Sequence, residues 1–164
     1  MANKFEKISE GQFKKDVGMP KDGQYQDIKL PKRATKHSAG YDIFALSSIV
    51  LEPGQSIRVP TGIKMQLDRD KFLAVVPRSG LGFRYRLQLD NTLGVVDSDY
   101  YNSDNEGHIW VKMTNDTRES KKLHIKKGEA FAQGIILQYF KTNDDAADAV
   151  RKGGFGSTSD KSNL

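Results

Sequence analysis

The chain has 164 residues, 26 Lys and Arg against 21 Asp and Glu for a net charge of +5, 37% hydrophobic residues and no cysteine. That length supports one globular domain whose core needs no disulfide or zinc staple, and the absence of cysteine excludes a thiol nucleophile, a disulfide framework and any cysteine-ligated metal. No run reaches the roughly twenty apolar residues of a membrane span, and Met1 to Glu10 lacks the apolar stretch of a signal peptide, so a soluble, cytoplasmic protein is expected. The modest positive charge suits a polyanion, and a polyphosphorylated small molecule satisfies it as well as nucleic acid or a membrane surface does.

In chain order, Phe5 to Lys15 reads as a short helix, followed by the turn-rich Gly18-Met19-Pro20-Lys21-Asp22-Gly23. Together residues 1–24 form an N-terminal extension expected to pack on the main domain. Tyr25 to Leu30 alternates with period two and predicts a strand ended by Pro31. Short β-rich runs then follow over Tyr41–Ala45, Ser48–Leu51, Gln55–Pro60, Gly62–Leu67, Phe72–Pro77, Thr92–Val96, His108–Thr114 and Ala130–Phe140, divided by Gly, Pro, Asn and Asp. Such runs at intervals of about eight to twelve residues predict an antiparallel barrel or sandwich with no βαβ units. Ser79-Gly80-Leu81-Gly82 predicts a tight turn opening a short helix, whose exposed amides suit an anion. The basic segment Arg118 to Lys127 reads as a solvated face, and Asp144, Asp145 and Asp148 as part of a short acidic helix. We divide the chain into the extension 1–24, a β domain 25–142 and a C-terminal segment 143–164, whose glycine-rich end reads by composition as a flexible tail.

The chain lacks the Walker, Rossmann, zincin and nucleophile-elbow motifs. His37, His108 and His124 have no metal-site spacing and are assigned to surface or structural duty. Asp97-Ser98-Asp99-Tyr100 follows the apolar run Leu93 to Val96, which puts a carboxylate at the end of a strand. Asp97 there suits either a β-turn held by backbone donors or a base that orients a water beside an aromatic wall at Tyr100. Arg78, Ser79 and Gly80 offer a planar guanidinium, a hydroxyl and an amide in one cluster, a set that fits phosphate or a structural ion pair. Phe155 lies among glycines, hydroxyls and the cations Arg151 and Lys152, an arrangement able to stack on a base while holding anionic oxygens.

Five motifs in order connect these pieces: Ala39–Ala45, Pro77–Gly82, Asn91–Tyr100, Lys127–Gln133 and Arg151–Thr158. With them the sequence resembles the trimeric all-β dUTPase family from about Tyr25 to Ser159, a family with bacteriophage and prophage members. The resemblance implies a distorted jelly-roll or β-clip barrel, a homotrimer with shared active sites and a flexible C-terminal arm. It implies hydrolysis of dUTP to dUMP and diphosphate, which limits uracil incorporation into DNA and supplies dUMP.

By the same resemblance, Asp97 directs water at the α-phosphorus and Tyr100 packs under the deoxyribose. Asn91 and the backbone of Gly94, Val95 and Val96 read uracil, and Trp110 falls at an apolar pocket position. Arg78, Ser79, Gly80 and Gln133 hold phosphate from one subunit. Arg151, Phe155, Gly156, Ser157 and Thr158 arrive on the arm of another, as a lid. Mg²⁺ is implied on the triphosphate with no direct protein ligand, and Asp42 supports it through water. Direct nucleic-acid and membrane partners are not expected.

The chain departs from the pattern at Gly80, where a serine is common, and after Tyr100, where Tyr101 and the insert Asn102-Ser103-Asp104-Asn105-Glu106 precede Gly107. Two alternatives stay open on sequence: a dCTP deaminase-like enzyme, and a nucleotide-sensing protein using residues 101–106 or 118–127 to bind a regulatory protein partner.

Overall fold

A computed structural model describes residues 3–20, 22–151 and 153. The chain enters as strand β1 (Lys4–Lys7) and helix α1 (Glu10–Val17), then makes a 3₁₀ turn at Tyr25–Asp27. Strands β2 (Lys32–Arg33), β3 (Tyr41–Phe44), β4 (Ile49–Leu51), β5 (Ser56–Pro60), β6 (Ile63–Gln66) and β7 (Lys71–Pro77) follow. Helix α2 (Ser79–Tyr85), β8 (Leu87–Leu89), β9 (Gly94–Asp97), a 3₁₀ turn (Ser98–Asn102), β10 (Trp110–Asn115), β11 (Leu123–Ile125) and β12 (Ala130–Gln138) complete it.

All the strand pairings are antiparallel. The largest sheet runs β2-β3-β12-β7-β9, a second runs β5-β10-β8, and β1-β6 and β11-β4 form two ribbons. The expected all-β class is therefore present, but among the described residues these sheets do not close into one barrel. The reason lies in strand length: β4, β8 and β11 have three residues each, too few to carry pairing continuously from sheet to sheet.

Alternation of burial explains most strands. In β10, Val111, Met113 and Asn115 point inward, and in β11 Leu123 and Ile125 do so. Val111, Met113, Leu123 and Ile125 join Ile43, Leu73, Val96, Ile109 and Phe131 in one core. The N-terminal extension belongs to that core, since Phe5, Ile8 and Phe13 are all buried in it, each contributing on the order of 1.5–3 kcal/mol by leaving water.

Three local expectations are corrected and a fourth is refined. Phe5 to Lys15 is not one helix: Lys4–Lys7 pairs with β6 and the helix starts only at Glu10, where the Ser9 hydroxyl caps it by accepting from Gln12 N. Tyr25 to Leu30 is no strand, because Asp27 accepts from Gln24 N and closes a turn. The Lys and Arg side chains of the basic run 118–127 are solvated as expected, but the run also contains β11, whose Leu123 and Ile125 point inward. No helix forms around Asp144 to Asp148, where only a turn at Asn143–Asp144 occurs.

Candidate active site

The β8–β9 connection passes from the three-stranded to the five-stranded sheet, with Thr92 in a left-handed conformation at its tip (φ 65°). Where the two sheets diverge they leave a cavity of about 500 Å³. Asn91, Gly94, Val96 and Trp110 line it, together with Arg58, Asp90 and Lys112. The guanidinium of Arg58 stacks 4.3 Å from the centre of the Trp110 ring, so the cavity joins an aromatic wall to a cation. Val95 alternates outward and is exposed, leaving its backbone as the part that faces the strand edge. Arg58 and Lys112 were not singled out from sequence, although Lys112 shares the outward face of β10 with Trp110 by simple alternation.

Asp97 ends β9, and its Oδ2 accepts from Arg151 Nη2 at 2.7 Å. The same guanidinium donates through Nε to Asp99 Oδ1 at 2.8 Å, and its carbon lies 5.8 Å from the centre of the Tyr100 ring. Arg151 thus covers three residues of the third motif at once. Tyr100 is buried, which pushes its phenol pKa up, and its hydroxyl donates to His108 O at 2.8 Å. It does not line the cavity; its ring lies under Arg151.

A second cluster forms at the junction of β3, β7 and β12. Arg78 Nε forms an ion pair with Asp42 Oδ1 at 3.0 Å, and Gln133 Nε2 donates to Pro77 O at 3.2 Å. Gln133 is the register partner of Asp42. Gly40 lies beside them, where a Cβ would fall 2.1 Å from Gln133 Oε1 and displace the end of that side chain. Ser79 and Gly80 are exposed in the first turn of α2.

Strand β7 separates the two clusters. Phe72 at its start pairs with Asp97, whereas Arg78 follows its last residue, Pro77. Six residues of extended chain at about 3.3 Å each put Asp97 and Arg78 of one chain ~20 Å apart. One chain therefore brings Asp97, Asp99, Tyr100 and Arg151 together, and separately Asp42, Arg78 and Gln133, but does not unite them. Phe155, Gly156, Ser157 and Thr158 lie outside the described residues.

This antiparallel β chain, with a strand-end carboxylate, a cavity between two sheets and a separate arginine cluster, matches a family of nucleotide hydrolases. The dUTPase family model matches residues 26–159. A deoxyuridine 5′-triphosphate nucleotidohydrolase of Lactococcus lactis is 41% identical over 134 residues, covering 80% of this chain and 88% of the relative. That of Hydrogenovibrio crunogenus is 34% identical, covering 81% and 88%. The crystal structure of the Streptococcus mutans dUTPase superposes with a TM-score of 0.65 at 31% identity, covering 85% of this chain and 98% of that one. The chain belongs to the dUTPase family and is a hydrolase.

Proposed function

We infer that Asp97 orients the water in the reaction this enzyme carries out, hydrolysis of dUTP to dUMP and diphosphate. The water oxygen bonds to the α-phosphorus, the bond from that phosphorus to the α,β-bridging oxygen breaks, and diphosphate leaves. The water proton passes to the Asp97 carboxylate and then to solvent. The observation that carries this reading is the position of Asp97, at the end of the strand whose Gly94 and Val96 line the cavity. Uracil fits that cavity beside Asn91 and the backbone of Gly94 to Val96, with Trp110 as its wall, and Tyr100 packs against the deoxyribose.

Arg151 rests on Asp97. A triphosphate offers the guanidinium more negative charge, so its transfer to phosphate would release the carboxylate for the water while the arm carrying Phe155, Gly156, Ser157 and Thr158 closes. Arg78, Ser79, Gly80 and Gln133 supply the remaining phosphate donors. The ~20 Å span of β7 supports drawing them from a second chain, as in a homotrimer with shared sites.

Mg²⁺ fits as an ion held mainly by triphosphate oxygens. Asp42, the candidate support through water, is ion-paired with Arg78. Bound there, the ion would offset negative charge on the phosphates. The protein's own part is orientation: Asp42 aims Arg78, and Gly40 leaves room for Gln133.

A regulatory partner surface has less support. The 101–106 insert is engaged by the N-terminal extension, and Lys121 and Lys122 of the basic segment pair with Glu119 and Glu52. A nucleotide substrate fits a cytoplasmic setting, and no described helix is long and apolar enough to cross a membrane. The deciding experiment is turnover of every deoxy- and ribonucleoside triphosphate with Mg²⁺. Release of dUMP and diphosphate from dUTP alone is expected, and deamination of dCTP would overturn the reading.

A further inference from the structure

Tyr100 is gripped from behind by the insert that sets this chain apart. Its hydroxyl donates to His108 O and accepts from Asn105 Nδ2, both at 2.8 Å. Asn105 is fixed in turn, because its Oδ1 accepts from Ser103 Oγ at 2.9 Å and from Gly107 N at 3.2 Å. Glu106 and Gly107 adopt consecutive left-handed conformations (φ 57° and 73°), which fold the insert back onto its own start. Only glycine fits at 107, since a Cβ there would lie 2.8 Å from Tyr100 O and from Tyr101 Cα.

The N-terminal extension then clamps this folded insert at three points. Both carboxylate oxygens of Glu106 are taken by Ser9, one by its hydroxyl at 2.6 Å and one by its backbone N–H at 2.8 Å, which holds the Glu106 carboxyl below its ordinary pKa. The Tyr101 hydroxyl donates to Glu6 on β1. At the far end of α1, Asp16 Oδ2 accepts from His108 Nδ1 at 2.6 Å, while Oδ1 accepts from Gln12 Nε2 at 2.8 Å. His108 is fully buried, its Nε2 accepts from Gly62 N at 2.9 Å, and its ring lies 5.0 Å from that of Trp110. The extension therefore reaches, through one or two intervening side chains, both the tyrosine and the tryptophan of the nucleotide site.

We propose that residues 6–16 and the 101–106 insert act together as a positioning brace for Tyr100, with Ser9, Asp16, Asn105 and Glu106 as specificity-determining residues that set how strictly the enzyme rejects a 2′-hydroxyl. This rests on the reading that Tyr100 packs against the deoxyribose. Exclusion by lack of room works only against a wall that cannot yield, and a hydroxyl bonded on two sides, within a segment pinned by α1, gives such a wall. A sugar lacking the 2′-hydroxyl needs no such stiffness, so loosening the brace raises use of UTP more than it lowers use of dUTP.

The test is the ratio of kcat/KM for dUTP to that for UTP in the full-length enzyme, with folding checked by circular dichroism at the assay temperature. Asn105→Ala and Glu106→Ala should each lower the ratio about tenfold, the loss of one net hydrogen bond's worth of positioning. Glu106→Gln, which keeps an acceptor for Ser9 N and a polar partner for its hydroxyl, should restore it. Should Glu106→Ala not fold, Ser9→Ala at an exposed position carries the same comparison. Equal loss on both substrates, or an unchanged ratio while Tyr100→Ala lowers it, overturns the brace. An unchanged ratio in Tyr100→Ala itself overturns instead the placement of Tyr100 at the sugar, and the brace with it.

Discussion

Arg151 and Asp97 are 54 residues apart in sequence yet joined by a 2.7 Å charge-assisted hydrogen bond, with Arg151 only 14% exposed. The arginine of the last motif thereby occupies the carboxylate of the third. In the proposed mechanism the guanidinium leaves this carboxylate before Asp97 orients the water, and a triphosphate offers it a more highly charged partner.

Asp97→Asn keeps the shape of the side chain and removes the base. Turnover of dUTP should fall by about 10²–10⁴, the usual contribution of a positioned base, while thermal unfolding and nucleotide affinity change little. Measuring kcat beside the dissociation constant of a non-hydrolysable analogue separates the two effects. Retained turnover would assign the water to another group.

Removal of residues 151–164 tests the arm. Arg151 makes two hydrogen bonds to carboxylates and lies against Tyr100, but it contributes nothing to the buried core. The truncated chain should fold with an unchanged unfolding transition and lose kcat/KM by about 10–100-fold, the value of one or two hydrogen bonds to charged groups. Arg151→Ala alone should show most of that loss. Full activity in both would leave the arm without a role in hydrolysis.

The elements that carry the candidate site residues were largely legible in the sequence because they are built from local patterns. The apolar run before Asp97 leads into strand β9, the turn after Arg78 does open a helix, and the short β-rich runs from Tyr41 to Phe140 each contain a strand. What escaped is non-local. Phe5 is the only fully buried residue of β1, so nothing in Lys4–Lys7 announces a strand until β6, some sixty residues later, supplies its partner. The run Leu123–Ile125 is too short to stand out among lysines, and it forms because Leu51 and Ile49 lie opposite it. His108 carried the right general assignment, structural duty, but its partner Asp16 is 92 residues away and on another element. The pairing of Arg78 with Asp42 links two motifs whose sequence order says nothing of contact.

Gly40→Ala probes the second cluster without touching a charged group. The added methyl meets the end of the Gln133 side chain, at 2.1 Å from Oε1 and 3.0 Å from Cδ, and a flexible amide can swing away where backbone could not. Gln133 would then leave Pro77 O and its place beside Arg78. KM for dUTP should rise roughly two- to tenfold, about 0.5–1.5 kcal/mol of binding, with kcat nearly constant because the interaction is made in ground and transition states alike. Steady-state kinetics check this, and a fall in kcat with KM unchanged would move Gln133 from binding to the chemical step.

Acidification should expose the His108 lock. Burial pushes the pKa of this imidazole below its ordinary 6.5, and the opposing pull of Asp16 does not restore it; Arg58 and Glu106 also act on the ring, in opposite directions. The geometry agrees, since Nε2 accepts from Gly62 N and would have to give up that bond to take a proton. In the unfolded chain the same imidazole protonates near 6.5, so below that pH the unfolded state binds the extra proton and gains stability relative to the native one. The contribution of His108 is thus fully present above 6.5 and declines as pH falls, with a slope of at most about 1.4 kcal/mol per pH unit, until the native pKa is passed. Carboxylates whose pKa is held down in the folded state, such as Glu106 from its ordinary 4.5, add their own losses only at lower pH. Denaturant unfolding between pH 5 and 8 should show this decline, and NMR titration of the ring should give a midpoint below the ordinary 6.5. A flat stability profile with a ring titrating at 6.5 would mean that the contact with Gly62 does not hold in solution, and the bracing of Tyr100 through His108 would lose its anchor.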